Sequence, residues 1–227
     1  MNWQRPEGMD EYLKATKLCD CDKVNLKEKA KQIIDSAEIQ KEAALKIFYF
    51  VRDVILFGGD HPDVKASHTL RKGKGLCITK TNLQMALLRA VGIPARCHYV
   101  HLPKEIVKSF TLRFIYNRLP AAIGHTWCEC YISGEWIACE ALFDKALYNG
   151  ALRKGTLTKR DMPTIDWDGE TDLVLTRELI LKDVGVFPSW DEALRMVDEE
   201  GLPITNRPLG WFAFFVGNWR ANRIRRQ

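Results

Sequence analysis

Gly73 to Arg96 is the stretch that leaves this chain the fewest choices. It opens Gly-Lys-Gly-Leu-Cys and runs on through Ile78, Leu83, Met85, Ala86, Leu87, Leu88, Ala90 and Val91. Apolar residues on nearly every side describe a helix enclosed in a core rather than one lying on a surface. Gly92 closes that helix and Pro94 forbids its resumption. Cys77 therefore sits at the entrance to a buried helix. There the positive end of the helix dipole and the unpaired first-turn N–H groups favour thiolate over thiol. The alternative is an inert buried cysteine, the commonest fate of a free thiol.

At 227 residues the chain is long enough for one sizeable domain or two small ones, and its 46% hydrophobic content is ordinary for a globular fold. The formal charge is +5, with lysines interspersed among acids, so no nucleic-acid partner is expected. The first residues carry Glu7, Asp10 and Glu11 and no apolar h-region, which predicts no secretory signal. No apolar run approaches a membrane span. The seven cysteines then read as reduced thiols of a cytoplasmic protein, with an exported form bearing an unseen leader as the alternative.

Residues 1–23 are poorly patterned and read as a loose or docking arm holding Cys19 and Cys21. In the helical region that follows, Ala44, Ile47, Phe48, Val51 and Ile55 recur at helical spacing, the mark of an amphipathic helix. Phe57-Gly58-Gly59-Asp60 breaks it. Ala95 to Leu102 reads as a strand, and 103–124 as an irregular insertion long enough to be a binding loop or lid. Beyond Asp144 the chain offers a loop or short helix over 145–159 and a possible strand at Leu173-Val174-Leu175. A capping box at Ser189 and Glu192 starts a helix that ends at Gly201. The apolar run from Trp211 to Trp219 precedes Arg220, Arg223, Arg225 and Arg226. It reads as a helix closing over the core with a solvated basic tip, in preference to a membrane-interface helix.

The second informative stretch, His125 to Asp144, has the alternation of a β-hairpin turning at Ser133-Gly134. That turn sets Tyr131 opposite Trp136, Trp127 opposite Glu140 and His125 opposite Leu142. His125, Trp127, Glu129 and Tyr131 then share one face with Trp136, Glu140 and Leu142. Glu140 becomes the diagonal neighbour of His125, within reach of a carboxylate that can fix the imidazole tautomer. A turn shifted by two residues substitutes Asp144. The competing reading is a surface pair on a solvated sheet. Cys128, Cys130 and Cys139 fall on the opposite face as packing residues. A zinc site from Cys19, Cys21, Cys128 and Cys130 lacks the usual two-to-four-residue clip.

A cysteine at a helix start, a histidine on a strand and a carboxylate on the adjoining strand are the parts of a thiol acyl-transfer site. With Gly75-Leu76-Cys77, the Ala86 to Arg96 signature, His125-x-Trp127-x-Glu129-x-Tyr131 and Gly134-x-Trp136-x-x-x-Glu140, the sequence resembles the transglutaminase-like superfamily. The helix containing Ala43 to Phe48, with Val51 and Arg52, is similar to that family's lead-in helix. The resemblance covers roughly residues 24–145. It implies an α+β, papain-like core in which a helix bearing the nucleophile packs on an antiparallel sheet, with extra N- and C-terminal helices. Cys77 matches the nucleophile and His125 the base. The third position departs from the pattern, with Glu140-Ala141 where relatives carry Asp-Pro. The backbone N–H of Cys77 is the natural first oxyanion donor, and His61, Ser67 and His68 are candidates for the second. Eukaryotic relatives use calcium, but no Asp-x-Asp-x-Asp-Gly loop occurs, so neither metal nor cofactor is expected.

The sequence thus leads to an arm (1–23), a catalytic core (24–145) and a C-terminal extension packed on it (146–227). The expected activity is thiol-dependent acyl transfer on amide, peptide or isopeptide carbonyls, with a peptide or protein substrate. Hydrolysis is favoured over cross-linking because a water-excluding tunnel needs more chain than this one has to build it. A transglutaminase proper, or a family-fold module that only binds, is the alternative.

Overall fold

The computed structural model describes residues 7–108, 111–199 and 207–226. In chain order the elements are α1 (Val24–Ile33), α2 (Gln40–Asp53), β1 (Leu56–Phe57), α3 (Ala66–Lys72), β2 (Lys74–Gly75), α4 (Cys77–Ala90) and β3 (Ala95–Pro103). They continue with α5 (Arg113–Tyr116), β4 (Ala122–Ile132), β5 (Glu135–Ala138), α6 (Lys145–Arg153), β6 (Lys182–Phe187), α7 (Trp190–Glu199) and α8 (Arg207–Arg225). A four-stranded antiparallel sheet has the order β5-β4-β3-β6, and β1 and β2 form a short parallel pair. The α+β class expected from the sequence is the one found, with α4 packed on the sheet and helices at both ends of the chain.

Every residue of α4 from Cys77 to Arg89 is buried. The sheet covers one side, and α1, α2 and α3 cover the other. Polar side chains in such a helix must find partners or they destabilise it. Here they tie the helix to its surroundings. Thr81 donates to the Thr126 carbonyl at 3.2 Å, Asn82 to Leu18 at 2.9 Å and Gln84 to Cys139 at 3.0 Å. Lys80, held near a pKa of about 7 mainly by burial, donates to the carbonyls of Arg52 and Ile55. Arg89 reaches the carbonyls of Ala95, Lys14 and Pro188, so the end of α4, the start of β3 and the N-terminal arm meet on one guanidinium.

The hairpin turns at Ser133 and Gly134, whose φ values of 55° and 93° suit the two central residues of a tight hairpin turn. Tyr131 pairs with Trp136 and Glu129 with Ala138, as the spacing predicts. Cys97, Tyr99, Cys128 and Cys130 join the main core under the sheet. The opposite face is not solvated, contrary to the competing reading. Val100, Leu102, Trp127 and Ala138 form a second cluster there, roofed by Ile106, Val174 and Ile180.

Two elements differ from expectation. Leu173-Val174-Leu175 makes a single parallel bridge, Leu173 to Cys139, and is not a strand of the sheet. The fourth strand is instead β6, which the sequence reading lacks. Its register against β3 shifts between Tyr99 and Val100, and Gly185 has φ 119°. A bulged edge strand loses the period-two pattern by which strands are recognised. Ser189 and Glu192 do cap α7, while Gly201 lies outside the described residues.

The C-terminal helix closes over the core, with a correction at its tip. Ala221 and Ile224 pack on Leu147, and a Cβ on Gly150 would lie 2.1 Å from the Ile224 carbonyl. Arg223 and Arg226 are exposed, but Arg225 turns inward. It forks onto Asp144 through Nε at 2.9 Å and Nη2 at 2.5 Å, and reaches the Phe57 carbonyl. Phe215 and Trp219 remain on the surface, and no described helix is long and apolar enough to cross a membrane.

Burial alone would raise the Asp144 pKa, but Arg225 and the backbone N–H groups of Leu147 and Phe57 hold it below the ordinary value. Stability from a depressed carboxylate is present above about pH 4 and is lost as pH falls through the lowered pKa. Arg225→Ala is expected to cost about 3 kcal/mol, because Asp144 stays buried without its cation. Its urea midpoint should also begin to fall at a higher pH than that of the wild type. Equal midpoints across the acid range would show that the pair does not hold α8.

Candidate active site

The start of α4 is shaped by its two preceding residues. Thr79 accepts the Leu76 N–H at 3.0 Å. A Cβ on Gly75 would sit 2.6 Å from the Thr79 hydroxyl, so only glycine lets β2 approach this turn closely. Cys77 follows as the first helical residue. It is 8% exposed and opens into a cavity of about 800 Å³. Its backbone N–H is one of the first-turn donors that have no partner within the helix.

His125 lies on β4 opposite Val100 of β3 and is buried. The ring of Tyr99 presses on the backbone just before it: a Cβ on Gly124 would meet the Tyr99 hydroxyl at 2.4 Å. The hairpin register continues one bond past β5, with the Cys139 N–H donating to Cys128 at 2.8 Å. Glu140 thereby comes to face His125. Its Oε1 lies 2.8 Å from His125 Nε2, and its Oε2 accepts the Leu175 N–H at 2.6 Å. The extra methylene of glutamate is accommodated by a carboxylate anchored at both oxygens. Nε2 is thus occupied, which leaves Nδ1 for the Cys77 sulfur within hydrogen-bonding reach. Burial works to lower the imidazole pKa. The charge of Glu140 and the sulfur of Cys77 outweigh it and raise the value to about 10.

The fold therefore brings Cys77, His125 and Glu140 to one point. Asp144 is elsewhere: it caps α6 by accepting the Leu147 N–H at 3.0 Å and pairs with Arg225. His61 bonds Asp63 at 2.7 Å and Ser67 bonds Asp20 at 2.6 Å. Neither of these, nor His68, lines the cavity, so none is positioned as an oxyanion donor. His98 bridges Glu129 and Asp183 at 2.8 Å each, and neither it nor His101 lines the cavity. Cys97, Cys128 and Cys139 pack in the core, and burial drives all three thiols up. Cys19 and Cys21 are buried as well. No group of three or more metal-ligating side chains occurs among the described residues, so Cys19, Cys21, Cys128 and Cys130 do not assemble.

Sequence reasoning missed the segment after Asp172. Leu175 supplies the second hold on Glu140, and Thr176 lines the cavity beside the pair. The apolar trio 173–175 was the available signal, but nothing in it marks a backbone N–H as a partner for a distant carboxylate. The 103–124 insertion does line the cavity, through Ile115 and Leu119 among others, and α8 contributes Phe214.

A family model described as "Transglutaminase-like superfamily" matches residues 27–141. Among solved structures, a candidate cysteine protease from Cytophaga hutchinsonii is similar with a TM-score of 0.54. It shows 19% identity over 83% of this chain and 50% of its own. A candidate protease from Parabacteroides distasonis has a TM-score of 0.38 and 14% identity, covering 58% of this chain and 25% of that one. Red sea bream transglutaminase has a TM-score of 0.34 and 16% identity, covering 60% and 26%. The chain spans half the length of the first of these and about a quarter of the others. The first likeness is one of fold. No curated protein matches.

A histidine raised to about 10 keeps its proton through neutrality. The ring resonances of His125 are expected to stay constant from about pH 6 to about pH 8, and Glu140→Gln should bring their titration down into that window. A wild-type His125 titrating near the ordinary value of about 6.5 would contradict the assigned contacts.

Proposed function

The chain belongs to the transglutaminase-like superfamily, and on that premise we propose a thiol-dependent hydrolase of amide, peptide or isopeptide carbonyls, working through an acyl-thioester on Cys77. The observation that carries this reading is the imidazole of His125, held by Glu140 at 2.8 Å on one nitrogen and facing Cys77 with the other.

The chemistry follows from those contacts. The Cys77 sulfur attacks the carbonyl carbon, and the charge that develops on oxygen is met by the Cys77 N–H at the helix start. His125 gives its Nδ1 proton to the departing nitrogen as the C–N bond breaks. Water then attacks the thioester, giving one proton to the same nitrogen, and the acid leaves as the C–S bond breaks and the Cys77 thiolate is restored beside the charged ring. Glu140 orients the ring and stabilises its charged form without taking the proton.

Hydrolysis rather than cross-linking rests on cavity size. About 800 Å³ leaves room for water beside a carboxamide side chain. The cross-linking reading is favoured by the apolar lining of the same cavity, which lowers water activity at the thioester. Residues 24–145 are read as the catalytic core, 146–227 as an extension packed on it and 1–23 as an arm. The reaction is metal-independent and the compartment cytoplasmic on this reading.

Glutamine- and isopeptide-containing peptides, offered with and without a primary amine, test the proposal. Ammonia or amine release without incorporation of the added amine is expected, unchanged by a chelator and absent from Cys77→Ala. Glu140→Gln should retain the fold and lose roughly two to four orders of magnitude in kcat. Amine incorporation as the main product would establish the cross-linking reading instead, and activity surviving in Cys77→Ala would sink both.

A further inference from the structure

The cavity behind Cys77 is larger and more apolar than a carboxamide side chain requires. Its volume of about 800 Å³ falls among pockets that bury whole small molecules. Ile78, Leu142, Leu147 and Met162 are buried members of its wall. Apart from His125 of the reacting pair, four charged side chains line it, and each already has a partner. Asp60 pairs with Lys72, Glu105 accepts from Tyr116, Arg118 donates to the Phe114 carbonyl and Asp161 accepts from Thr158. Glu105, Arg118 and Asp161 are exposed, which puts them at the rim. The interior thus offers a substrate no spare charge.

One buried polar side chain of the wall has no partner among the described residues. Thr176 is 6% exposed and its hydroxyl makes no hydrogen bond to any of them. It directly follows Leu175, whose N–H holds Glu140, so it belongs to the reacting end of the cavity. A buried hydroxyl without a partner costs free energy that a ligand can recover.

We propose that this cavity is an acyl-chain pocket, and that the enzyme acts on carbonyl compounds whose acyl part is an extended apolar chain, with the Thr176 hydroxyl bonding the polar head beside the reacting carbonyl. The proposal rests on the thiol reading given above and names the acyl side of its substrate. A peptide in the same space would bring an N–H and a C=O with every residue, each needing a partner. An alkyl chain brings none, and its burial is favourable along the whole length.

p-Nitrophenyl esters of acetic, butyric, hexanoic, octanoic and decanoic acids read this directly on the full chain. The Cys77 sulfur forms a bond to the acyl carbon and the bond between that carbon and the phenolic oxygen breaks, with p-nitrophenolate leaving on the electron pair. Water then cleaves the thioester, yielding the fatty acid and returning a proton to the Cys77–His125 pair. The expected kcat/KM rises about threefold to fourfold per methylene, the equivalent of about 0.8 kcal/mol, until the cavity is filled. Ala151→Trp narrows the wall and should lower the decanoyl-to-acetyl ratio at least tenfold. Thr176→Val should slow every ester about threefold to tenfold without changing the slope.

A flat or falling wild-type series overturns the pocket, and with cleavage of a peptide of apolar residues it assigns the cavity to peptide. An unchanged Thr176→Val enzyme removes that hydroxyl from the site. If acetyl ester turnover is lost in Cys77→Ala while the series is flat, the thiol reading stands and only the acyl pocket falls. If no substrate of either kind shows turnover that depends on Cys77, both fall.

Discussion

A helix wrapped on every side is the constraint from which the rest of this structure follows. Thirteen successive residues of α4 are out of solvent, and this chain achieves that by placing a sheet on one side and helices on the other. The burial of Leu83, Met85, Leu87 and Leu88 supplies the drive. The polar residues between them set the registration. Each of Lys80, Thr81, Asn82, Gln84 and Arg89 ends on a carbonyl of a different segment. Sliding the helix by one turn would orphan all five, and a buried polar group without a partner is costly. The position of Cys77 is therefore fixed by contacts made along the whole helix below it.

The imidazole is fixed in the same way. His125 is carried on a strand bonded on both sides, with Tyr99 packed against the glycine before it. Glu140 lies just past the end of β5, where ladder bonding has given way to a single bridge, and is gripped by Leu175 N–H as well as by His125. A carboxylate held at both oxygens cannot swing away to solvent, which compensates for the longer side chain. Burial at this site strengthens every electrostatic contact and itself opposes the charged ring. The fold resolves that conflict by supplying an anionic neighbour, and the proposed chemistry uses the result.

Local signals made part of this legible. The buried helix, its stop at Gly92-Ile93-Pro94, the hairpin turn at Ser133-Gly134 and the capping box at Ser189 are each encoded in a few adjacent residues. A turn at Ser133-Gly134 made Glu140 the diagonal neighbour of His125 and left Asp144 as the alternative for a shifted turn, because side-chain alternation and turn length set cross-strand neighbours. What escaped was non-local or irregular. β6 hides behind a bulge, Leu175 contributes through its backbone, and Arg225 turns in toward Asp144 from across 81 residues of sequence. No residue type announces such contacts. The outer face of the sheet looked like a solvated surface for the same reason: its cover, Ile106, Val174 and Ile180, comes from three separate segments.

The residues by themselves determined the chemical vocabulary: a thiol at a helix start, an imidazole on a strand, a carboxylate one hairpin away. Those features follow from periodicity, turn chemistry and strand alternation, which act over a few residues at a time, while the class of fold was implied by the family resemblance of the motifs. Only the tertiary structure decided which carboxylate faces the ring, that Asp144 is a cap and an arginine partner instead, and that the cleft beside Cys77 is large and mostly apolar. Such outcomes depend on which distant segments pack together, and packing is settled by the summed burial of the whole chain rather than by any stretch of it.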